Sequence, residues 1–526
     1  MQQTALVGAG LMAKPLPQLT ASSGSWRQDR LAHLLPLTNH NRLLLNASFH
    51  EPVDRPRLRI GRLVVEGKPR DTRGRFWQFH GTELESNTEY ELRLETSPGQ
   101  KMTDSWPLRT MPAPNALPEQ LRLMIYTCAG GFEGLQSSDG RGAFHSLGIR
   151  RRLLARGLSF KPDIVVGIGD QVYWDQNSGM PPTPERHTLR EEWYGQYGHF
   201  SADLPVLATP NEQVITHGLD QQIAMLYGVD FRSVPVILTQ DDHDHFENDE
   251  ASDSSITFPP TPFNLSLART TQRLYFPEFL PDDNRPTGMA GALPGGLSEA
   301  YGSFRYGRLL EMLFYDCRRY LSLKGPSAGF VDGSAERWLM HRTRESSNVR
   351  HLLHVPSTPM GWSAGKWGEW YPDLLQADGT LGTRRTKPYW QAGWWAQHQR
   401  LLQALSGQRE RIPMIISGDL HAIGSGAIHR SGDLRLERPV QTILSGPISS
   451  DDLMWPSTFR GTPPQVPSEL TVTERMAPIE KNGFTILDVD TDGISVRQFA
   501  WHKSQPLAGI ETMMPINEFR LNTGLD

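Results

Sequence analysis

"VPVILTQDDHDHFENDEA", residues 234–251, decides how the chain reads. Val236-Ile237-Leu238 is an apolar run suited to a buried strand. The ten residues that follow, Asp241 to Glu250, hold six acids and two histidines. Like charges gathered at the end of a buried strand repel, and without a counter-charge they cost stability. Either water solvates this loop fully, or something cationic is held there.

Working outward, the same grammar recurs. "LRLMIYTC" (121–128), "DIVVGIGD" (163–170), "LLEMLFYDCR" (309–318), "PMIISGD" (413–419) and "VQTILSGP" (440–447) read as further buried strands. "GIRRRLLARGLSF" (148–160) and "WWAQHQRLLQALSGQRE" (394–410) have helical spacing, the second with a stop signal at Ser406-Gly407. Apolar strands alternating with helices predict an α/β domain whose sheet is covered on both faces. Residues 250–300, rich in Pro, Asn, Asp and Gly, read as an excursion over the surface.

The first ~118 residues differ. "NRLLLNASFH" (41–50), "RLRIGRLVVEG" (57–67), "GRFWQFHG" (74–81) and "TEYELRLETS" (88–97) are short β-forming segments between turn clusters. Their spacing predicts a small β-sandwich, with helical spacing only near 27–35. "RTMPAPNALPEQ" (109–120) carries three prolines and reads as a linker. A chain of 526 residues is too long for one ordinary core. The expected division is therefore 1–118 and 119–526.

A net charge of −5 argues against nucleic-acid binding, which goes with a basic excess. No 18-residue apolar run marks a transmembrane helix. The N-terminus lacks the positive start and twin arginine of an export signal, so a cytoplasmic location is the default unless a signal is missing from this sequence. Two cysteines, Cys128 and Cys317, do not make a disulfide scaffold. The tryptophans in "GWSAGKWGEWYP" (361–372) and "GWWAQH" (393–398) suit a core or an interface, or else the wall of a pocket.

The strand tips line up. The first ends at Cys128, the second delivers Asp170, Tyr173 and Asp175, the third Asp241, Asp242, His243 and Asp244, and a later one Asp419 and His421. In open α/β folds, ligands bind outside the carboxyl ends of the strands. One Asp after a strand is an ordinary turn or cap, and one buried Cys a small hydrophobe. Four tips bearing Asp, His, Tyr and Cys together point to a ligand-binding edge.

"TCAGG" (127–131), "GDQVYWD" (169–175), "DDHDHFEND" (241–249), "YDCRRY" (315–320) and "SGDLH" (417–421), in this order, resemble the PhoD-like (alkaline phosphatase D) metallophosphatases of the calcineurin-like metallophosphoesterase superfamily. The wider superfamily has D-x-H, G-D-x-x-D, G-N-H-D/E and G-H-x-H at its tips. Here Cys128 replaces the first motif, Tyr173 sits in the second, Asp242 takes the Asn place and Asp419 the first His, as in the PhoD-like branch. The resemblance runs from about 119 to 450, and the N-terminal sandwich also resembles that branch. It implies a metallophosphoesterase-type α/β sandwich behind a small Ig- or fibronectin-like β-sandwich, and hydrolysis of phosphoric monoesters, diesters or both.

The resemblance further implies one metal held by Cys128, Asp170, Tyr173 and His421. A second is implied at Asp170, Asp242 and Asp419. Thiolate with phenolate suits ferric iron. The oxygen-only set suits a hard cation; the family implies calcium, with magnesium, manganese or zinc as alternatives. Two metals ~3.5–4 Å apart turn a bridging hydroxide into a nucleophile at neutral pH. His243 is the candidate general acid or charge stabiliser, with His245 next in line. Arg318 and Arg319 would clamp phosphate or sit in structural ion pairs. Asp316 reads as support and Cys317 as core. Asp244, Glu247, Asp249 and Glu250 exceed what one ion needs.

The expected substrate is a small-molecule or lipid phosphoester, and the family leaves a periplasmic or secreted location open. Two alternatives remain: a phospholipase D-like phosphodiesterase, and a metal-bearing but non-catalytic adhesion or scaffold protein.

Overall fold

The computed structural model describes residues 26–27, 30–137, 139–176, 194–249, 257–280, 301–322, 327–345, 348–364 and 392–523. Two four-stranded antiparallel sheets come first. One has the order Leu31–Thr38, Leu43–Phe49, Phe76–Gly81, Lys68–Pro69; the other Leu63–Glu66, Arg57–Ile60, Glu89–Glu95, Trp106–Arg109. Leu34, Leu45 and Phe79 of the first share one apolar cluster with Leu58, Leu92 and Trp106 of the second. The helical spacing near 27–35 is overridden. Leu31–Thr38 pairs as a strand along Leu43–Phe49, which buries nearly every residue of it.

Two larger sheets follow, packed face to face. The six-stranded sheet runs Val236–Leu238, Ile164–Ile168, Gln120–Thr127, Asn482–Asp490, Gly493–Trp501, Pro515–Asn522. Its first three strands are parallel. The seven-stranded sheet runs Tyr301–Tyr306, Leu310–Tyr315, His351–Pro356, Met414–Ser417, Leu434–Ser445, Ile423–Ser431, Leu470–Ile479. Alternate residues such as Ile125, Val166 and Ile237 face Met312, Val355 and Ile416 across the shared layer. The opposite faces are covered by helices. Leu153 and Leu154 of helix Leu147–Leu158 pack with Met124 and Val165. Trp394 and Leu401 of helix Ala392–Ser406 pack with Leu313 and Ile415. Each sheet is therefore covered by helices on one face and by the other sheet on the second face.

Side-chain chemistry explains the helix starts. Thr209 and Thr261 cap Pro210–Leu219 and Pro262–Tyr275, each with proline at the first turn, where no donor is lost. The second of these helices lies in the segment expected to be an excursion. Its buried Leu267 and Leu274 join the main apolar cluster. Among the described residues, no helix is long and apolar enough to cross a membrane.

The first N-terminal sheet packs directly on the larger sheets and their helices. Leu35 and Phe76 share a cluster with Met124 and Leu274, and Leu37 and Leu44 with Leu121 and Ile237. Polar ties run along the same seam. Asn46 donates to the Phe276 carbonyl at 2.6 Å, Arg70 pairs with Glu278 at 2.7 Å, and Arg75 pairs with Asp220 at 2.7 Å.

Candidate metal centre

Five parallel strands end at one edge, and the turns after them carry the chemistry. Four of these turn residues, Cys128, Asp170, Asp419 and His421, have φ between 47° and 66°. That left-handed conformation costs a non-glycine residue about 1–3 kcal/mol and gathers at functional sites. Gly169, with φ +65°, sits where a Cβ would lie 2.5 Å from Asp241 Cβ, so a glycine is what lets the two tips meet.

The tips converge closely. Cys128 Sγ lies 3.3 Å from Asp170 Oδ2, and Tyr173 Oη donates to the same oxygen at 3.1 Å. Tyr173 Oη is 3.0 Å from His421 Nε2. Potential ligand atoms of Cys128, Asp170 and His421 lie within 4.8 Å of one another, and so do those of Asp170, Asp241, Asp242 and Asp419. Asp170 is common to both groups. All these side chains are buried.

The donor chemistry fits cations. Asp241 Oδ2 is buried and accepts no hydrogen bond. Burial, then the neighbouring Asp419, Asp242 and Asp170, push the Asp241 carboxyl well above its usual range despite Arg318. Burial, then Asp170, also push the Cys128 thiol and the Tyr173 phenol well up. A cation among them reverses this balance by favouring every deprotonated form. The first group offers sulfur, nitrogen and oxygen donors, the second oxygen alone.

Backbone and side-chain bonds hold these donors in place. Asp244 accepts from the backbone N–H groups of Asp170, Gln171, Val172 and Asp241 at 2.6–3.1 Å, which stitches two tips together. His421 Nδ1 meets Ser450 Oγ at 2.5 Å, and this bond orients the ring so that Nε2 faces Tyr173.

His243 is bonded through Nδ1 to Asp175 at 2.8 Å, and its ring lies 4.3 Å from that of Tyr173. Burial alone would lower its pKa, but Asp175, Asp242 and Asp170 outweigh burial and push it up to about 10. His245 turns the other way, to Asp316 at 3.1 Å in a wholly buried position.

The two arginines part company. Arg318 enters the acid group: its Nε donates to Asp241 at 2.6 Å, and its terminal nitrogens pair with Asp249 at 3.1 Å and Asp419 at 3.3 Å. Arg319 bonds Gln240 and Gln272 and lies 3.5 Å from Asp316. Asp316 accepts the backbone N–H groups of both arginines, which fixes the turn. Cys317 sits in the apolar cluster with Leu313 and Tyr315, and burial pushes its thiol up to about 12. Trp362 and Trp394 are buried, their indoles donating to Glu474 and the Ser322 carbonyl. The stretch 365–391 of the tryptophan-rich segment, and Glu250, lie outside the described residues.

Two participants were not among the residues assigned to a metal. Asp241 stood out at the third strand tip, but the motif assigned the ligand role to its neighbour Asp242; it too joins the oxygen group. Arg460 reaches Asp249 at 3.4 Å from a loop after the seven-stranded sheet's long hairpin, more than two hundred residues away in sequence.

The family profile of PhoD-like phosphatases matches residues 142–497. Alkaline phosphatase D of Bacillus subtilis (strain 168) is 21% identical over 350 residues, 66% of this chain and 53% of that protein. The match thus spans about half of that relative's length. A solved structure of PhoD is alike in fold, with TM-score 0.58 at 13% identity over 95% of this chain and 90% of that one. A purple acid phosphatase from yellow lupin (Lupinus luteus) seeds gives 0.52 at 11% identity, over 94% and 74%. With the profile matched over more than half of its length, the chain belongs to the PhoD-like phosphatase family.

Proposed function

We propose that this chain is a metal-dependent phosphoric ester hydrolase built on a binuclear centre. The observation that carries the reading is the pair of buried donor groups sharing Asp170 at one strand-tip edge. Cys128, Asp170, Tyr173 and His421 would hold one ion, suited to ferric iron. Asp170, Asp242 and Asp419, with Asp241 beside them, would hold a hard cation such as calcium. Bound there, the ions would supply Lewis acidity and make water nucleophilic at neutral pH.

The chain's own residues do the rest. Asp170 keeps the two donor groups in register. Asp175 orients His243 through Nδ1, and His243 is the candidate donor of a proton to a departing alkoxide. Arg318 offsets part of the negative charge while the turns pack. The division at 118/119 belongs to this reading, with residues 1–118 as an N-terminal extension and a β-sandwich domain that contributes no catalytic group. The substrate is a small-molecule or lipid phosphoester. Trp362 and Trp394 bury their rings and lend the lipid reading no support.

The test is turnover of p-nitrophenyl phosphate, bis(p-nitrophenyl) phosphate, an alkyl phosphate and phosphatidylcholine by metal-loaded protein. His243→Gln should depress the alkyl ester by ~10²–10⁴-fold and spare the nitrophenyl esters, whose leaving group needs no proton. A fully metal-loaded protein that turns over none of them would contradict the proposal and favour a binding role.

A further inference from the structure

The helix Pro210–Leu219 does not end at Leu219. It runs through a π turn, Asp220–Ala224, into the short helix Met225–Tyr227. The sequence explains the turn. Ile215, Leu219, Ile223 and Tyr227 are all buried and stand four residues apart. At 3.6 residues per turn, that stride drifts by about 40° each time. A turn with i→i+5 bonds absorbs the drift and keeps all four side chains inward. Gly218 belongs to the same fit: a Cβ there would lie 2.2 Å from the Trp174 ring.

The π turn presents Gln222, which is wholly buried. Its Oε1 accepts from Tyr173 N–H at 2.7 Å and from Gly131 N–H at 2.8 Å, and its Nε2 donates to the Tyr173 carbonyl at 3.2 Å. One amide thus ties the loop after Cys128 to the loop of Tyr173 and fixes both backbone groups of Tyr173. The turn is braced from outside. Asp220, its first residue, pairs with Arg75 on the N-terminal sheet at 2.7 Å and accepts from Tyr275 Oη at 2.8 Å.

We propose that Gln222 is a positioning residue for the Tyr173 phenol, and that Arg75 of the N-terminal sheet steadies it through Asp220 and the π turn. The inference rests on the reading of Tyr173 as a metal ligand. It gives the N-terminal sheets a part in the chemistry without a catalytic group of their own.

The experiment compares full-length wild type, Gln222→Leu, Gln222→Glu, Arg75→Met and Tyr173→Phe by metal content, visible spectrum, kcat and KM. In Gln222→Leu the phenolate band should shift or weaken, with kcat down about 10–10²-fold and KM little changed. Gln222→Glu keeps both acceptor bonds but loses the donor, so it should lie between Gln222→Leu and wild type. Arg75→Met should move the band the same way by less. A coloured wild type whose band and kcat survive Gln222→Leu overturns this proposal alone. If Gln222→Leu does not fold, an unchanged Gln222→Glu overturns it equally. A wild type whose spectrum and metal content are both indifferent to Tyr173→Phe removes Tyr173 from the ligands, and the proposal falls with that reading.

Discussion

Two buried charged regions of this molecule make opposite use of the same residue types. Along the seam below the N-terminal sheet, two arginines each meet one acid: Arg70 with Glu278 and Arg75 with Asp220, both at 2.7 Å. At the strand-tip edge, the carboxylates of Asp241, Asp242, Asp249 and Asp419 are packed around the guanidinium of Arg318, with Asp170 grouped beside them and Arg460 reaching Asp249. Burying a charge is costly unless it is paired. The matched region therefore reads as structure. The region with surplus negative charge reads as a place where cations belong. Its strained turns say the same, since four left-handed non-glycine residues persist only where the surroundings enforce them.

The contrast can be broken by removing one charge from each region. Asp170→Asn takes away the carboxylate common to both donor groups. Metal should be lost from both and turnover should fall by about 10³-fold or more, while the metal-free protein melts no lower than metal-free wild type. A metal-free variant that melts well below wild type would show that Asp170 is needed for folding itself. Glu278→Leu should act in the opposite sense. It strands Arg70 in the seam and should cost about 3–5 kcal/mol in denaturant unfolding, with the metals retained. Adding Arg70→Met should recover most of that loss; no recovery would mean that the pair was not the issue.

The seam also predicts a pH effect. His33 is buried between Ser48 and the Tyr275 carbonyl, and burial lowers its pKa from 6.5 to about 4. Between those values the unfolded chain takes up a proton that the folded chain refuses. Stability is thus full above about pH 6.5 and falls as the pH drops towards 4, by about 3 kcal/mol from this group. His33→Gln should flatten that slope, and an unchanged slope would place its origin elsewhere. The smallest effect is at Cys317, where alanine should cost only ~1–2 kcal/mol and leave metal content untouched. A loss of metal there would give Cys317 a role beside Cys128.

The same contrast explains what the sequence made legible. The parallel strands show as unbroken apolar runs because both faces are buried, and their tips show as short motifs because one turn delivers each donor. Cys128, Asp170, Tyr173, Asp242, Asp419 and His421 all lie within a residue or a few of a readable strand end. The C-terminal antiparallel strands after Ser445 left little trace. Leu470–Ile479 lies on a sheet edge with a mostly exposed, polar pattern, so periodicity has no buried face to report. Arg460 and the Arg75–Asp220 pair join residues far apart in sequence, and no local pattern encodes such a contact. Gln222 was hidden differently, because a buried glutamine in a helix has no signature until the backbone groups it bonds are seen.

The central claim is that the surplus carboxylates hold a pair of cations through a shared Asp170. Elemental analysis of freshly purified protein, with Asp170→Asn beside it, tests this most directly. The account predicts two metal equivalents per chain in the wild type, one of them iron, and a loss of both in the variant. A wild type that binds no metal, or an Asp170→Asn variant that keeps both ions, would contradict it.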